Sequence, residues 1–234
     1  MKIEVWSDYV CPFCYIGKRQ LEKAIKDSGY EGQLEVEYKS FLLDPTTPID
    51  TEEPVYSSLA NKYGVTEERA KEMTKGVAER AKEVGLEYDF DNMKNANTVA
   101  AHRLAKWAAT KGKGAQMSER LLQAYFLEGV AIGKHEELLK LVENIGLNTA
   151  EAQDILNGEQ FADEVERDIY EAQNIGVRGV PFFVFDNKYG ISGAQPQQLF
   201  EQTIAQAANE AGLKPKLKMI GDEGEACSDG QCDL

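Results

Sequence analysis

Two cysteines separated by two residues are the strongest chemical signal in the sequence. Cys11 and Cys14 enclose Pro12 and Phe13, and a dithiol with this spacing can exchange electrons with a disulfide. The pair follows an alternating segment typical of a strand and precedes apolar residues at helical spacing. Because unpaired N–H groups and the dipole at a helix start favour a thiolate, we expect Cys11 to be the nucleophile and Cys14 to resolve the mixed disulfide.

A proline stands before a short apolar segment near the end of the chain. Pro181 follows Val180 and leads into residues 182–185. Proline has no N–H to offer a sheet, and X-Pro bonds are the peptide bonds that adopt the cis form at low cost. We expect a cis Val180–Pro181 bond facing the dithiol, with the Val180 backbone open to an extended substrate by strand addition. An ordinary trans proline at a strand start is the alternative.

Apolar side chains around the dithiol are predicted to form a docking site for unfolded or partly folded protein chains. The predicted members are Val10, Phe13, Val180 and Phe182, with Asn97 and Thr98 closing one side. The alternative is that the phenylalanines belong to the core. Phe183 and Phe185 alternate with Phe182, so core members are expected among them.

A second cysteine pair, Cys227 and Cys232, lies in the last eight residues. No basic residue occurs from Gly221 onward, and the acids there are Asp222, Glu223, Glu225, Asp229 and Asp233. Negative charge raises the pKa of a thiol, so we expect electrons to pass from Cys11 and Cys14 to a Cys227–Cys232 disulfide. A tail that never reaches the first pair and a metal-binding pair are the alternatives.

The polar residues near these motifs carry weaker signals. Asp8 precedes Cys11 by three residues; a turn or cap role is favoured over proton relay to Cys14. His102 and His135 fall on separate predicted helices, where packing or surface positions are favoured over a catalytic base. The acids on one later helix are typical of a solvated face; they are Glu164, Glu166, Asp168 and Glu171.

Hydrophobic periodicity predicts the elements that position these residues. Alternation predicts strands over residues 2–6 and 33–41. A compact apolar run predicts a strand over residues 180–185, and a turn at Asp186-Asn187 leads to a short strand over 189–192. Helical spacing predicts helices over 14–28, 55–63, 67–84, 98–111, 115–128, 135–145, 150–157, 161–174 and 196–211, with Thr66 and Thr149 as N-caps. The order βαβ, helical block, αββα indicates an α/β fold in which the outer parts share one sheet.

The chain divides accordingly into four segments. Residues 1–45 and 161–212 are expected to form the two parts of the sheet domain. Residues 46–160 are expected to form an all-helical insertion domain, and residues 213–234 an acidic tail with the second cysteine pair.

Three motifs occur together in the order found in a known family. They are residues 7–15, Asn97-Thr98 with residues 101–104 and Trp107, and residues 176–183 followed by 193–195. Over residues 1–212 the chain resembles the DsbA-like thioredoxin superfamily, in particular its FrnE-type dithiol–disulfide oxidoreductases and isomerases. The resemblance implies a thioredoxin fold interrupted by a helical domain, disulfide exchange at Cys11 and Cys14, and a cis-proline loop at Pro181.

Two departures from related proteins refine this expectation. Phe13 stands where periplasmic DsbA enzymes carry histidine, and it offers no hydrogen bond or positive charge to a thiolate, which implies a weaker oxidant. Glutathione-dependent isomerases of the superfamily have serine at the first motif position. Cys11 argues against their activity.

Composition excludes several classes of protein. The chain has 234 residues, 42% of them hydrophobic, and a net charge of −14, so nucleic acids and anionic membranes are poor partners. Its longest uncharged segment is too short to span a bilayer, and the first residues do not resemble a signal peptide.

We expect a cytoplasmic monomer that acts on disulfide-containing proteins, with an external thiol donor and no metal or other cofactor. A glutathione-dependent isomerase or transferase, and a four-cysteine zinc protein, are the alternatives.

Overall fold

A computed structural model describes residues 1–216 of the chain. Its four-stranded sheet has the order β2-β1-β3-β4. The strands are β1 (Lys2–Ser7), β2 (Glu35–Ser40), β3 (Phe182–Phe185) and β4 (Tyr189–Ser192). β1 is parallel to β2, with helix α1 (Pro12–Ser28) between them in sequence, and β3 is antiparallel to both β1 and β4. The α/β prediction and the βαβ…αββα order are confirmed.

Seven helices lie between β2 and β3, and one more follows β4. They are α2 (Val55–Tyr63), α3 (Glu67–Glu83), α4 (Val99–Thr110), α5 (Gly114–Glu128), α6 (His135–Asn144), α7 (Thr149–Asn157), α8 (Ala162–Asn174) and α9 (Gln197–Glu210). Thr66 caps α3, as predicted, by accepting the N–H of Arg69. The prediction of Thr149 as a cap was wrong, because Asn148 takes that role with its side-chain oxygen on the N–H groups of Ala150 and Glu151.

One hydrophobic core joins the sheet to α1 and α9. Phe183 and Phe185 are fully buried, and Phe183 meets Phe200 of α9 edge-on with ring centroids 4.8 Å apart. Helix α1 crosses β3 closely at Gly17. A Cβ at that position would lie 2.9 Å from Phe183 Cζ and 3.1 Å from Pro181 Cγ, so only glycine lets the helix approach this strand.

A second core lies among the helices between β2 and β3 and extends to the segment that carries the dithiol. It includes Leu104 and Trp107 of α4 and Leu121 of α5, together with Tyr9 and Tyr15 from the β1–α1 region. The motif residues therefore pack against helices that are distant in sequence. This contact places the dithiol at the boundary between the sheet and the helical block.

Polar groups are also buried at this boundary. Asp168 of α8 is 4% exposed, accepts the N–H of Ser40 at 2.7 Å and forms an ion pair with Lys106 of α4. The prediction that this acid belongs to a solvated face was wrong. The end of β2 has a free N–H at this position, and Asp168 satisfies it.

Two features of the described residues bear on the classes of protein considered above. None of the helices within residues 1–216 combines the length and the apolar character needed to cross a bilayer. Over the same part of the chain, no three side chains among His, Cys, Asp and Glu come together in a way that could hold a metal ion. The four-cysteine zinc hypothesis depends on Cys227 and Cys232, which lie outside the described residues.

Candidate active site

The junction between β1 and α1 positions the dithiol. β1 ends at Ser7, and the N–H of Cys11 closes a turn on the Asp8 carbonyl at 3.1 Å. Cys11 is the N-cap of α1, with extended backbone angles, and Pro12 occupies the first helical position, where no N–H is needed. The helix starts at Pro12, before Cys14, so Cys14 lies within its first turn.

Both thiols of the motif are free, and both residues are nearly buried. Cys11 is 5% exposed and Cys14 is 3% exposed. The Cys11 Sγ donates to the Val180 carbonyl at 3.4 Å. The sulfur of the first cysteine therefore faces the loop that contains Pro181.

The surroundings move the pKa values of the two thiols in opposite directions. A hydrogen bond from the Cys14 thiol lowers the pKa of Cys11 most; burial opposes this, and the N–H groups of Cys14 and Phe13 lower it further. Burial is the largest cause that raises the pKa of Cys14 well above its ordinary value, and the charge of Cys11 adds to it. Of the two thiols, Cys11 is therefore the one that loses its proton more readily, and Cys14 is the one that keeps it.

The bond between Val180 and Pro181 is cis, as predicted, and the loop lies against the dithiol. The carbonyl of Pro181 accepts the N–H of Gly193 at 2.8 Å. The segment after β4 therefore supports the loop. Val180 offers its backbone beside Cys11, which is the placement expected for strand addition.

The four apolar residues of the predicted docking site are partly buried and lie in two groups. Val10 and Phe13 pack against the helical core, whereas Val180 and Phe182 pack around Trp6. Asn97 donates to the Thr47 carbonyl at 2.7 Å. The four apolar side chains thus belong to two different clusters, one in the segment of Cys11 and one in the segment of Pro181.

Thr98 lies beneath the dithiol loop. It is 4% exposed, and its hydroxyl donates to Asp8 Oδ1 at 2.7 Å. Asp8 is 1% exposed; its other oxygen accepts the N–H of Leu43 at 2.8 Å, and His102 Nε2 lies 3.3 Å from Oδ1. The carboxylate connects the dithiol loop to the start of α4, and its charge raises the pKa of Cys11. Thr98 is the N-cap of α4, and His102, four residues later, lies on the same side of the helix. This spacing is the sequence pattern that could have revealed the network.

Two further residues, both between β2 and α4 in the sequence, contact the motif, and sequence reasoning missed both. The Tyr88 hydroxyl donates to the Pro12 carbonyl at 2.7 Å. The Arg80 guanidinium lies 5.1 Å from the centre of the Phe13 ring and donates to the Ala194 carbonyl at 3.0 Å. Arg80 lies in α3 and Tyr88 in the segment that follows it. Neither residue belongs to a sequence pattern that would have revealed its contact with the motif.

Sequence and structure comparisons place the chain among known proteins. The model of the DSBA-like thioredoxin domain matches residues 2–205. YwbO of Bacillus subtilis (strain 168), described as an uncharacterized protein, is 30% identical over 205 residues, which cover 87% of this chain and 95% of that protein.

Solved structures share the fold. A probable DsbA oxidoreductase from Streptomyces coelicolor is 35% identical, with a TM-score of 0.85, and the match covers 100% of this chain and 99% of that one. The cytosolic disulfide reductase DsbM from Pseudomonas aeruginosa, solved with GSH, is 20% identical with a TM-score of 0.60, over 91% of this chain and 98% of that one. At this identity the likeness to DsbM shows the fold alone. The chain belongs to the DsbA-like thioredoxin domain family.

Proposed function

We propose that this protein is a FrnE-type thiol–disulfide oxidoreductase that reduces or isomerises disulfides of protein substrates through Cys11 and Cys14. The contrast between the two thiols carries the proposal. Cys11 is at a helix start with a lowered pKa, and Cys14 is buried with a raised pKa. Exchange requires one thiol that is ready to attack and a second that keeps its proton until the intermediate has formed.

The reaction proceeds in two exchanges. The Cys11 thiolate attacks a substrate disulfide, forms a mixed disulfide and releases one substrate thiolate, which takes a proton from water. Cys14 then loses its proton and attacks the Cys11 sulfur, which releases the second substrate thiol. Two electrons and two protons pass to the substrate, and an external thiol returns the new Cys11–Cys14 disulfide to the dithiol.

Substrate binding is proposed to use the backbone of the Pro181 loop and the apolar area around it. An extended segment pairs with the Val180 backbone, whose carbonyl already lies 3.4 Å from the Cys11 sulfur. Val10 and Phe13 on one side and Val180 and Phe182 on the other receive its side chains. Unfolded or partly folded chains are the substrates, because they offer an extended segment and exposed apolar groups.

We extend the proposal to the second cysteine pair. Cys227 and Cys232 lie outside the described residues, and the acids around them favour protonated thiols. A disulfide between them accepts electrons from Cys11 and Cys14. The reaction is placed in the cytoplasm, where small thiols are available as reductants.

A glutathione-dependent isomerase on the same fold is the rival activity. Such an enzyme uses the sulfur of bound glutathione, whereas the present proposal uses Cys11. Steady reduction of insulin disulfides with dithiothreitol and without glutathione supports the proposal, and activity that requires glutathione contradicts it.

Single substitutions of the cysteines test the assigned roles. Cys11→Ser is expected to lower insulin reduction at least 100-fold, because the attacking sulfur is absent. Cys14→Ser is expected to keep the attack and accumulate mixed disulfides with insulin, which non-reducing electrophoresis and mass spectrometry detect. Circular dichroism checks that both variants fold. Equal loss in both variants without an adduct would overturn the assignment.

A further inference from the structure

Two exposed arginines lie close to the dithiol, one over the ring of Phe13 and one in the loop that contains Pro181. The guanidinium of Arg80 in α3 lies 5.1 Å from the centre of the Phe13 ring, and Phe13 is two residues after Cys11. Arg178 is exposed in the Pro181 loop and precedes Val180, whose carbonyl contacts the Cys11 sulfur, by two residues. Adjacent Cα atoms are about 3.8 Å apart, so the Arg178 backbone is near the dithiol as well.

Neither arginine has an acidic partner in the described chain. Arg19, Arg69 and Arg120 each form an ion pair with a glutamate. Among the ion pairs within residues 1–216, none includes Arg80 or Arg178. Arg80 uses one nitrogen for the Ala194 carbonyl, and a guanidinium has five N–H donors. In a chain with a net charge of −14, the two segments next to the dithiol therefore each carry an exposed arginine that has no acidic partner among the described residues.

The acidic segment at the end of this chain has the matching charge and carries cysteines. Glu225 precedes Cys227 by two residues, Asp229 lies between the two cysteines, and Asp233 directly follows Cys232. Each tail cysteine therefore has an acidic residue within two positions of it in the sequence. A segment bound by Arg80 and Arg178 would bring a tail sulfur to the position that a substrate disulfide occupies.

The length of chain after residue 216 is sufficient for this contact. The N–H of Lys216 donates to the Gly29 carbonyl at 2.7 Å, just beyond the C-terminal end of α1. α1 has 17 residues, so Cys11 at its other end is about 25 Å away. Cys227 is the eleventh residue after Lys216, and at about 3.3 Å per residue this length of chain reaches up to roughly 36 Å.

We propose that Arg80 and Arg178 dock the acidic segment 221–234 of the same chain on the dithiol, so that Cys11 exchanges with the Cys227–Cys232 disulfide. The inference rests on the proposed function and names the residues that direct the relay. The Cys11 thiolate attacks one tail sulfur and releases the other as a thiolate. Cys14 then loses its proton and attacks the Cys11 sulfur, which breaks the Cys11–tail bond and releases the first tail sulfur as a thiol. Two electrons and two protons thus pass from the dithiol to the tail.

The test uses the full chain with Cys14→Ser and an oxidised tail. In this background the Cys11–tail mixed disulfide is trapped and can be measured by acid quenching, alkylation and peptide mass spectrometry. Adding Arg80→Gln and Arg178→Gln together is expected to lower the trapping rate about three- to tenfold, as the loss of exposed charge pairs predicts. Higher salt should lower the rate of the parent but not that of the double variant.

Three controls separate charge from other effects. Arg69→Gln removes the same charge from the same helix, about 16 Å along its axis from Arg80, and should leave the trapping rate unchanged. Arg80→Lys should retain most of the rate if charge is what matters. Trapping of insulin by Cys11 is measured in every variant, so that each tail rate is compared with the reactivity of Cys11 itself.

The outcomes distinguish this inference from the proposed function. If Cys11 traps neither insulin nor the tail, the proposed function fails. If it traps insulin but never the tail, or if the double arginine variant traps the tail as fast as Arg69→Gln does, the docking inference is overturned. A selective loss of tail trapping in the double variant supports it.

Discussion

The reactivity of Cys11 depends mainly on groups of its own motif. The Cys14 thiol is the largest cause of its lowered pKa, and the N–H groups of Cys14 and Phe13 contribute further. Asp8 acts in the opposite direction, and its charge is held in place by Thr98, His102 and the Leu43 N–H. The thiolate is therefore stabilised by the helix start while a buried carboxylate from the preceding loop limits that stabilisation.

Removing the Cys14 thiol should raise the pKa of Cys11. Cys14→Ala deletes the main hydrogen bond to the thiolate, whereas Cys14→Ser supplies a hydroxyl donor and should raise the pKa less. The rate of iodoacetamide labelling of Cys11 as a function of pH gives each value. An unchanged titration in Cys14→Ala would show that the helix start alone sets the pKa.

The same shift predicts how the stability of the reduced protein depends on pH. The pKa of Cys11 is lower in the folded state than in the unfolded state, where it is about 8.5. The thiolate therefore stabilises the fold fully above the unfolded value, and this contribution is lost as the pH falls through the folded value. Urea unfolding of reduced wild type and Cys11→Ser across this range should show the difference shrinking toward lower pH.

Helix α1 approaches the sheet closely at one glycine. Its Gly17 faces the Phe183 ring and Pro181, and both neighbours are fixed, Phe183 by the core and Pro181 by the loop. The same crossing holds the Pro181 loop near the start of the helix that carries the dithiol. Packing at Gly17 thus contributes to the geometry of the site.

A methyl group at Gly17 should therefore destabilise the protein. Gly17→Ala puts a Cβ 2.9 Å from Phe183 Cζ, and overpacking of this kind costs about 1–3 kcal/mol of unfolding free energy. Gly76→Ala in α3 is the matched control, because no atom lies within 4 Å of the added Cβ; it should stabilise by about 0.5–1 kcal/mol through helix propensity. Urea denaturation measures both. A neutral Gly17→Ala would show that α1 can shift away from β3.

The elements were predictable from the sequence where local patterns determine them. Helix ends agree with the predictions within two residues, because glycines and caps mark them, as Gly64 and Gly129 do after α2 and α5. The cysteine spacing and the proline before an apolar segment led to the dithiol and the cis bond. Asp168, Arg80 and Tyr88 could not be assigned, because their partners at Ser40, Phe13 and Pro12 are distant in sequence.

At the scale of the whole molecule, an ionic cluster connects α1 with the helical block. Lys18 and Arg19 of α1 both pair with Glu119 of α5, and the Tyr15 hydroxyl donates to the same carboxylate at 2.7 Å. The Lys18 side chain is only 5% exposed. We propose that this cluster, with the network around Asp8, fixes the insertion domain of residues 46–160 relative to the dithiol.

Neutralising Glu119 should weaken this connection at neutral pH and have no effect in acid. Burial raises the pKa of Glu119, but the charges of Lys18 and Arg19 and the hydrogen bonds from Lys18 and Tyr15 outweigh it and lower the pKa below its ordinary value. A carboxylate with a lowered pKa stabilises the fold fully above its unfolded value of about 4.3, and this contribution disappears as the pH falls through the folded value.

Glu119→Gln is therefore expected to lose about 1–2 kcal/mol of unfolding free energy at pH 7, since its partner Lys18 is buried while the carboxylate is partly exposed. The difference from wild type should vanish once the pH is below the folded pKa of Glu119. Glu72→Gln breaks the Arg69 pair, in which both side chains are more than half exposed, and should cost less than about 0.5 kcal/mol at any pH. Urea unfolding of both variants and the wild type across this pH range measures these differences. An equal loss at every pH in Glu119→Gln would mean that Glu119 acts through packing rather than through charge.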